Sequence, residues 1–258
     1  MNYQADLIFD IGMHKGEDTR FYLKKGFRVV AVEANPLLVQ ENRKKFQKEI
    51  ESGRLRILNV GIGKEEGVMP FYVNGHSTEW SSFDKSIGTR NNTPFTEIMV
   101  NCVRTKTLFD QYGVPFYMKV DIEGFDHLAL VDIPENENKP RFVSCESNEV
   151  EWLDLLHSRG YRKFKLINQA NGFRPLNSKL EKNSGYILYR KGKHAIKHKL
   201  RKVLPQKYAG GSSGPFGEDT RGNWKSYEEI RGIFQDYMQG ERRTPVNNIS
   251  WCDFHATI

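Results

Sequence analysis

Up to residue 190 the chain alternates short apolar runs, rich in β-branched and aromatic residues, with longer amphipathic segments. That alternation is the pattern of a mostly parallel sheet covered by helices. Strands are predicted at 7–11, 28–33, 55–60, 116–121, 141–146, 164–168 and 185–190, and helices at 17–26, 36–52, 125–132 and 149–159. Gly26 and Gly160 sit where helices are expected to end, and Pro36 suits a first helical turn. Val68–Val73 and Ile98–Thr105 read as an added hairpin whose tip, 74–97, is rich in Asn, Gly, Ser and Thr. The stretch between the last two strands is short and Gly/Asn-rich, which predicts an antiparallel hairpin at the sheet edge. No internal repeat is visible.

The candidate chemistry gathers where apolar strands end. Leu7-Ile8-Phe9 runs directly into Asp10-Ile-Gly12-Met-His14-Lys15-Gly16, so a strand delivers a carboxylate and a Gly-rich turn to the start of a helix. This is how an α/β sheet brings backbone close to a nucleotide-like ligand. From Asp10 it is 23 residues to Glu33, the acid that closes the second strand and suits a ribose diol. Gly12 and Gly16 do not complete the dinucleotide fingerprint, and no P-loop Gly-Lys-[Ser/Thr] follows. Glu17 and Asp18 open the next helix, where they complement its dipole but would repel a pyrophosphate. A cationic adenosine cofactor, S-adenosylmethionine, meets no such repulsion.

Three motifs in order, Asp10-x-Gly12-x-x-x-Gly16-x-x-Thr19, Val32-Glu33-Ala-Asn35-Pro36 and Lys119-Val-Asp121-Ile-Glu123-Gly124, resemble the FkbM family of S-adenosylmethionine-dependent methyltransferases. The resemblance runs from residue 6 to about 190. Ser213–Glu218 and Trp251–Ala256 also look like segments of some members. It implies a class I methyltransferase Rossmann-like α/β fold: seven strands in the order 3-2-1-4-5-7-6, mostly parallel, the last pair antiparallel, with a C-terminal tail. The activity implied is O-methylation of a sugar, polyketide or similar metabolite. A nicotinamide-dependent oxidoreductase, or a non-catalytic member that holds a cofactor or glycan and docks by its tail, are the alternatives.

The cofactor set is then Asp10, Gly12, His14, Lys15, Gly16, Thr19, Glu33, Asn35, Gly61 and Asp121. Asp10, Glu33, Asp121 and Glu146 all fall at strand ends, hence on one rim. Asp121 and Glu123 are candidates for the general base, since two close carboxylates raise one pKa, or else bind a divalent cation; His76 and His127 compete as the base, because imidazole titrates near neutrality. The bland reading is that one acid orients the cofactor and the other caps a helix. Ser77, Trp80, Ser81 and Ser82 on the polar excursion, with Glu146, are the acceptor candidates, an aromatic ring with hydroxyls being suited to a sugar. A plain surface loop would look similar apart from Trp80. Trp224, Trp251 and His255 either close over the site or anchor the tail.

Charge and cysteine narrow the setting. The net charge of +7 is local: 190–207 holds eight Lys/Arg and no acid, and the remainder has 31 basic against 32 acidic residues. We expect a methyltransferase domain at 1–190 and a basic helical extension at 191–258. The basic run fits a solvated helix face, an anionic acceptor or peripheral contact with anionic lipid. Sequence-specific nucleic-acid binding is not expected, for want of any recognised binding signature. Cys102, Cys145 and Cys252 are odd in number and widely spaced, so neither a disulfide framework nor a zinc knuckle is expected. With no long apolar run and a strand close to residue 1, the expectation is a cytoplasmic enzyme acting on a small-molecule or glycan acceptor.

Overall fold

The structure is a computed structural model that describes residues 2–169, 172–176, 185, 212–238 and 251–258. Its strands are β1 (Tyr3–Ile11), β2 (Arg28–Val32), β3 (Leu55–Leu58), β4 (Gly61–Ile62), β5 (Gly67–Asn74), β6 (Phe95–Val103), β7 (Val114–Val120), β8 (Phe142–Glu146), β9 (Lys163–Asn168), β10 (Arg174–Pro175) and β11 (Cys252–Thr257). The helices are α1 (Glu17–Lys24), α2 (Pro36–Lys45), α3 (Gln47–Glu51), α4 (Lys85–Gly88), α5 (Thr105–Tyr112), α6 (Asp126–Val131), α7 (Val150–Ser158) and α8 (Tyr227–Met238). The main sheet runs β10-β9-β11-β8-β7-β1-β2-β3, and β4, β6 and β5 form a small second sheet. β3, β2, β1, β7 and β8 are parallel, whereas β11 is antiparallel to both of its neighbours. The order is the expected one, with a short edge strand added.

Period-2 alternation along β1 explains the two cores. Leu7, Phe9 and Ile11 face α5, α6, α7 and α8 in one apolar cluster. Ile8 faces the other side, with Tyr22 and Leu23 of α1, Val39 of α2 and Phe46. The predicted helix 36–52 is two helices that break at Phe46, whose buried ring closes this second core.

One expectation needs correction. The seventh strand was predicted at 185–190, which lies outside the described residues apart from Gly185; β11, from the end of the chain, occupies that place between β8 and β9. Residues 252–257 are therefore part of the sheet rather than of an appended tail. Asp253, His255 and Thr257 alternate with Cys252, Phe254 and Ala256, and all six are buried, so the strand lacks the uniform apolar signature. The basic run at 190–207 lies outside the described residues. Among the described residues no helix is long and apolar enough to cross a membrane.

Ser213–Glu218 also returns to the fold. Ser212 Oγ donates to Asp18 Oδ1 at 2.5 Å, and the Ser213 amide donates to Asp18 Oδ2 at 2.9 Å. Phe216 lies flat on Tyr117, centroids 4.3 Å apart at 2°, and edge-on to Tyr22 at 5.4 Å. A buried ring with that many aromatic neighbours is a core residue. Phe216→Ala should cost about 3–5 kcal/mol in urea denaturation; an unchanged unfolding midpoint would show that the segment is merely laid on the surface.

Candidate active site

The carboxyl ends of β2, β1 and β7 meet at one cleft. Gly12 and Met13 donate their amides to Val32 O at 3.0 and 2.9 Å, and the Asp121 amide donates to Ile11 O at 2.9 Å, so three strand ends are stitched together. Gly12 has φ of +88°, and a Cβ there would lie 1.8 Å from the Asp121 carbonyl oxygen. Only glycine permits this approach of the first loop to the fourth strand of the expected order.

A lysine lies beneath the loop. Lys119, 3% exposed, donates from Nζ to Gly12 O at 2.8 Å and is ion-paired with Asp10 (3.4 Å), Asp121 (3.4 Å) and Asp18 (3.8 Å). Burial works against its charge, but Asp121, Asp10 and Asp18 together outweigh it and hold the ammonium well above the ordinary lysine pKa. Asp10, fully buried, accepts from Thr19 Oγ1 at 2.5 Å through Oδ2, while Oδ1 makes no hydrogen bond. Desolvation, eased by Lys119, pushes its pKa up to about 6.

Glu33 fixes the turn on the other side. Its Oε2 accepts from the His14 amide and its Oε1 from the Asn35 amide, both at 2.8 Å. Burial raises its pKa. Asn35 in turn caps α2, its side chain accepting from the Leu37 amide at 3.0 Å. His14, at φ of +50°, pairs Nε2 with Thr78 Oγ1 at 2.8 Å. The polar excursion thus reaches the first loop directly.

At the far side of the cleft the Asp121–Gly124 turn is held by the excursion. Ser82 Oγ donates to Glu123 O at 2.8 Å, supporting a non-glycine residue at φ of +46°. Arg90 pairs with the Glu123 carboxylate and lies 5.3 Å over the Trp80 ring. Desolvation, countered by Arg90, pushes Glu123 up to about 7.

Of the residues singled out from sequence, Gly12, His14, Gly61, Glu33, Ser81, Asp121 and Glu123 line the cleft. Asp10, Thr19, Asn35 and Ser82 are buried just behind it and hold its walls. Lys15 and Gly16 shape the turn without lining it: the Lys15 carbonyl accepts from Lys45, and Gly16 starts α1 at φ of +75°. His76 is exposed and tilted against Trp80 at 5.6 Å, and His127 is exposed on α6; neither they nor Ser77 and Trp80 line the cleft. Glu146 is buried, accepting from Trp251 Nε1 at 2.7 Å and from Asn148 Nδ2 at 3.0 Å. Of the three tail candidates only Trp251 reaches the cleft; Trp224 stacks near Phe142 and His255 is buried in β11. Among the described residues no group of three His, Cys, Asp or Glu side chains is arranged to hold a metal ion.

Sequence reasoning passed over Lys119, Thr78, Glu79 and the apolar wall of Val60, Ile62, Phe71 and Phe83. Lys119 had a usable signal: a lysine inside the apolar run Phe116-Tyr-Met-Lys-Val120 has to be paired once buried.

A family model described as the methyltransferase FkbM domain matches residues 10–163, well over half of the chain. The chain belongs to the FkbM methyltransferase family. The match begins at Asp10 near the end of β1, closes at the first residue of β9 and holds the ends of β1, β2 and β7 that meet at the cleft. Among solved structures the chain is similar to the methyltransferase FkbM of Methylobacillus flagellatus, at 17% identity over 64% of this chain and 40% of that one, TM-score 0.45. It is also similar to phosphoethanolamine N-methyltransferase 2 of Haemonchus contortus, at 10% identity over 100% of this chain and 49% of that one, TM-score 0.35. The chain spans less than half the length of either protein. No curated protein matches it.

Several buried carboxyls here hold protons more tightly than in the unfolded chain. Desolvation places Asp10 at about 6 and Asp126 and Glu123 at about 7, and raises Glu146 and Asp253 well above the carboxylate range. A raised folded-state pKa stabilises fully below the unfolded pKa, and the contribution disappears as pH rises through the folded value. The ligand-free chain should therefore unfold at lower urea at pH 8 than at pH 5. A higher midpoint at pH 8 would contradict this assignment.

Proposed function

We propose that this FkbM-family chain is an S-adenosylmethionine-dependent O-methyltransferase that acts on a hydroxyl of a saccharide or secondary metabolite. The observation that carries the reading is the charge of the cleft. Among the described residues six carboxyl side chains line it, Glu17, Asp18, Glu33, Glu79, Asp121 and Glu123, against one permanent cation, Lys119, which is already paired. A ligand with a sulfonium and an ammonium suits that wall, and a dinucleotide pyrophosphate does not. The residues fit the cofactor in other respects. Glu33 stands at the end of β2 with lone pairs left for a ribose diol, and Val60, Ile62, Phe71 and Phe83 give an apolar wall for adenine. Gly12 lets backbone pass where a side chain would collide.

Bound S-adenosylmethionine supplies a methyl group on a positively charged sulfur, open to in-line attack by an oxygen. The chain's part is to place the acceptor hydroxyl, take its proton and keep water out. Asp121 is the proton acceptor we favour. It lines the cleft with its side chain 27% exposed, and Lys119 Nζ stands 3.4 Å from Oδ2, leaving lone pairs for a hydroxyl. The Glu123 carboxylate is committed to Arg90 and shapes the turn instead.

Titration calorimetry with S-adenosylhomocysteine tests the cofactor. The parent chain should bind, and Glu33→Gln should weaken binding by about 1–3 kcal/mol. A folded parent that does not bind at millimolar ligand ends the reading. With an acceptor in hand, Asp121→Asn should lower kcat about 100- to 10,000-fold while leaving S-adenosylhomocysteine affinity within a few fold. Equal loss in Glu123→Gln with none in Asp121→Asn would move the base to Glu123.

A further inference from the structure

From the end-on placement of Trp251 we infer that this residue is the stacking platform for the acceptor, and that the acceptor end takes a neutral or amine-bearing ring rather than an acidic one. The inference rests on the cofactor reading above. β11 runs antiparallel to β8, with Asp253 opposite Glu146, so its first residues emerge on the rim where the parallel strands end. Trp251 immediately precedes it and lines the same cleft as Asp121, Ile122 and Glu123. In the sheet order β11 lies two strands from β7, on the side away from β2 and Glu33. At about 4.8 Å per strand the platform is roughly 10 Å from the β7 rim and roughly 19 Å from the β2 rim. With the ribose at Glu33 and the proton acceptor at Asp121, Trp251 falls on the acceptor side.

Trp251 is 46% exposed yet its side chain and its backbone are both held. Its indole Nε1 donates to Glu146 Oε1 at 2.7 Å, and its carbonyl accepts from the Gln169 amide at 2.7 Å. An exposed indole needs no such fixing for stability, whereas a preorganised apolar face loses little entropy when a ring stacks on it. Asp121 and Glu123 on the cleft wall are acidic, and Arg90 is paired with Glu123. A carboxylate or phosphate on the acceptor ring would face these groups with no free cation among the described residues that line the cleft.

The test uses the full chain loaded with S-adenosylhomocysteine and three probes: methyl β-D-glucopyranoside, its 2-amino-2-deoxy analogue and its uronate. Calorimetry should show the neutral and amino rings binding at least about fivefold more tightly than the uronate. Trp251→Ala should weaken the neutral ring about tenfold, Trp251→Phe should stay within about threefold of the parent, and S-adenosylhomocysteine affinity should hold within about twofold in both. No binding of any probe to the parent at about 50 mM, or the same affinities in Trp251→Ala, would overturn the inference. So would a parallel loss of cofactor affinity, which would place Trp251 at the other end of the cleft, or tightest binding by the uronate. If the parent binds no S-adenosylhomocysteine the cofactor reading fails instead, and the same ring titration on the unloaded chain decides Trp251 by itself.

Discussion

A single buried ammonium holds the candidate site together. Lys119 sits under the first loop with carboxylates from the end of β1, the start of α1 and the end of β7 around it. Asp10, fully buried, needs that counter-charge most, because an isolated carboxylate in apolar surroundings costs several kcal/mol. Asp18, the most distant of the three, spends its oxygens on Ser212 and Ser213, so the same cluster fixes the segment that brings Phe216 into the second core. One lysine thereby couples the first glycine loop, the Asp121–Gly124 turn and, through Asp18, a segment almost two hundred positions further along the chain.

The parts of this arrangement legible in sequence are those written in local pattern. Asp10, Gly12, Glu33 and Asp121 could be placed because each ends an apolar run, and strand ends in an open sheet share a rim. The antiparallel pairing of β5 with β6 was likewise visible in two apolar runs around a polar tip. What failed was long-range. β11 carries Asp253 and His255 among its buried residues and reads as an irregular tail, because its partners Glu146 and Gln169 are far off in sequence. His76 and His127 were plausible from chemistry, but nothing local told that the excursion and α6 present them to solvent. Lys119 stood inside a quoted motif and was passed over, since the acids around it come from three separate elements.

The cleft's electrostatics follow from the same architecture. Acids collect at the carboxyl ends of parallel strands and at the start of α1, and among the described residues that line the cleft a single lysine leaves them in surplus. Burial, with neighbouring acids adding to it, raises the proton affinity of Asp10 and Glu123, and the surplus of acids suits cationic ligands better than anionic ones. Antiparallel β11 adds an aromatic residue to this acidic rim at the end remote from Glu33. The cofactor and acceptor preferences we propose then have a common origin, in which strand direction decides what reaches the rim and burial decides how it is charged.

The most direct test is the unfolding free energy of Lys119→Met at pH 8. Methionine fills the volume and leaves Asp10 and Asp18 buried without their counter-charge, so stability should fall by about 3–5 kcal/mol, with part of the loss recovered at pH 5 as Asp10 takes up a proton. A Lys119→Met chain as stable as the parent at pH 8 would contradict the account, because the cluster would then be incidental to how the loop, the turn and the Phe216 segment are held.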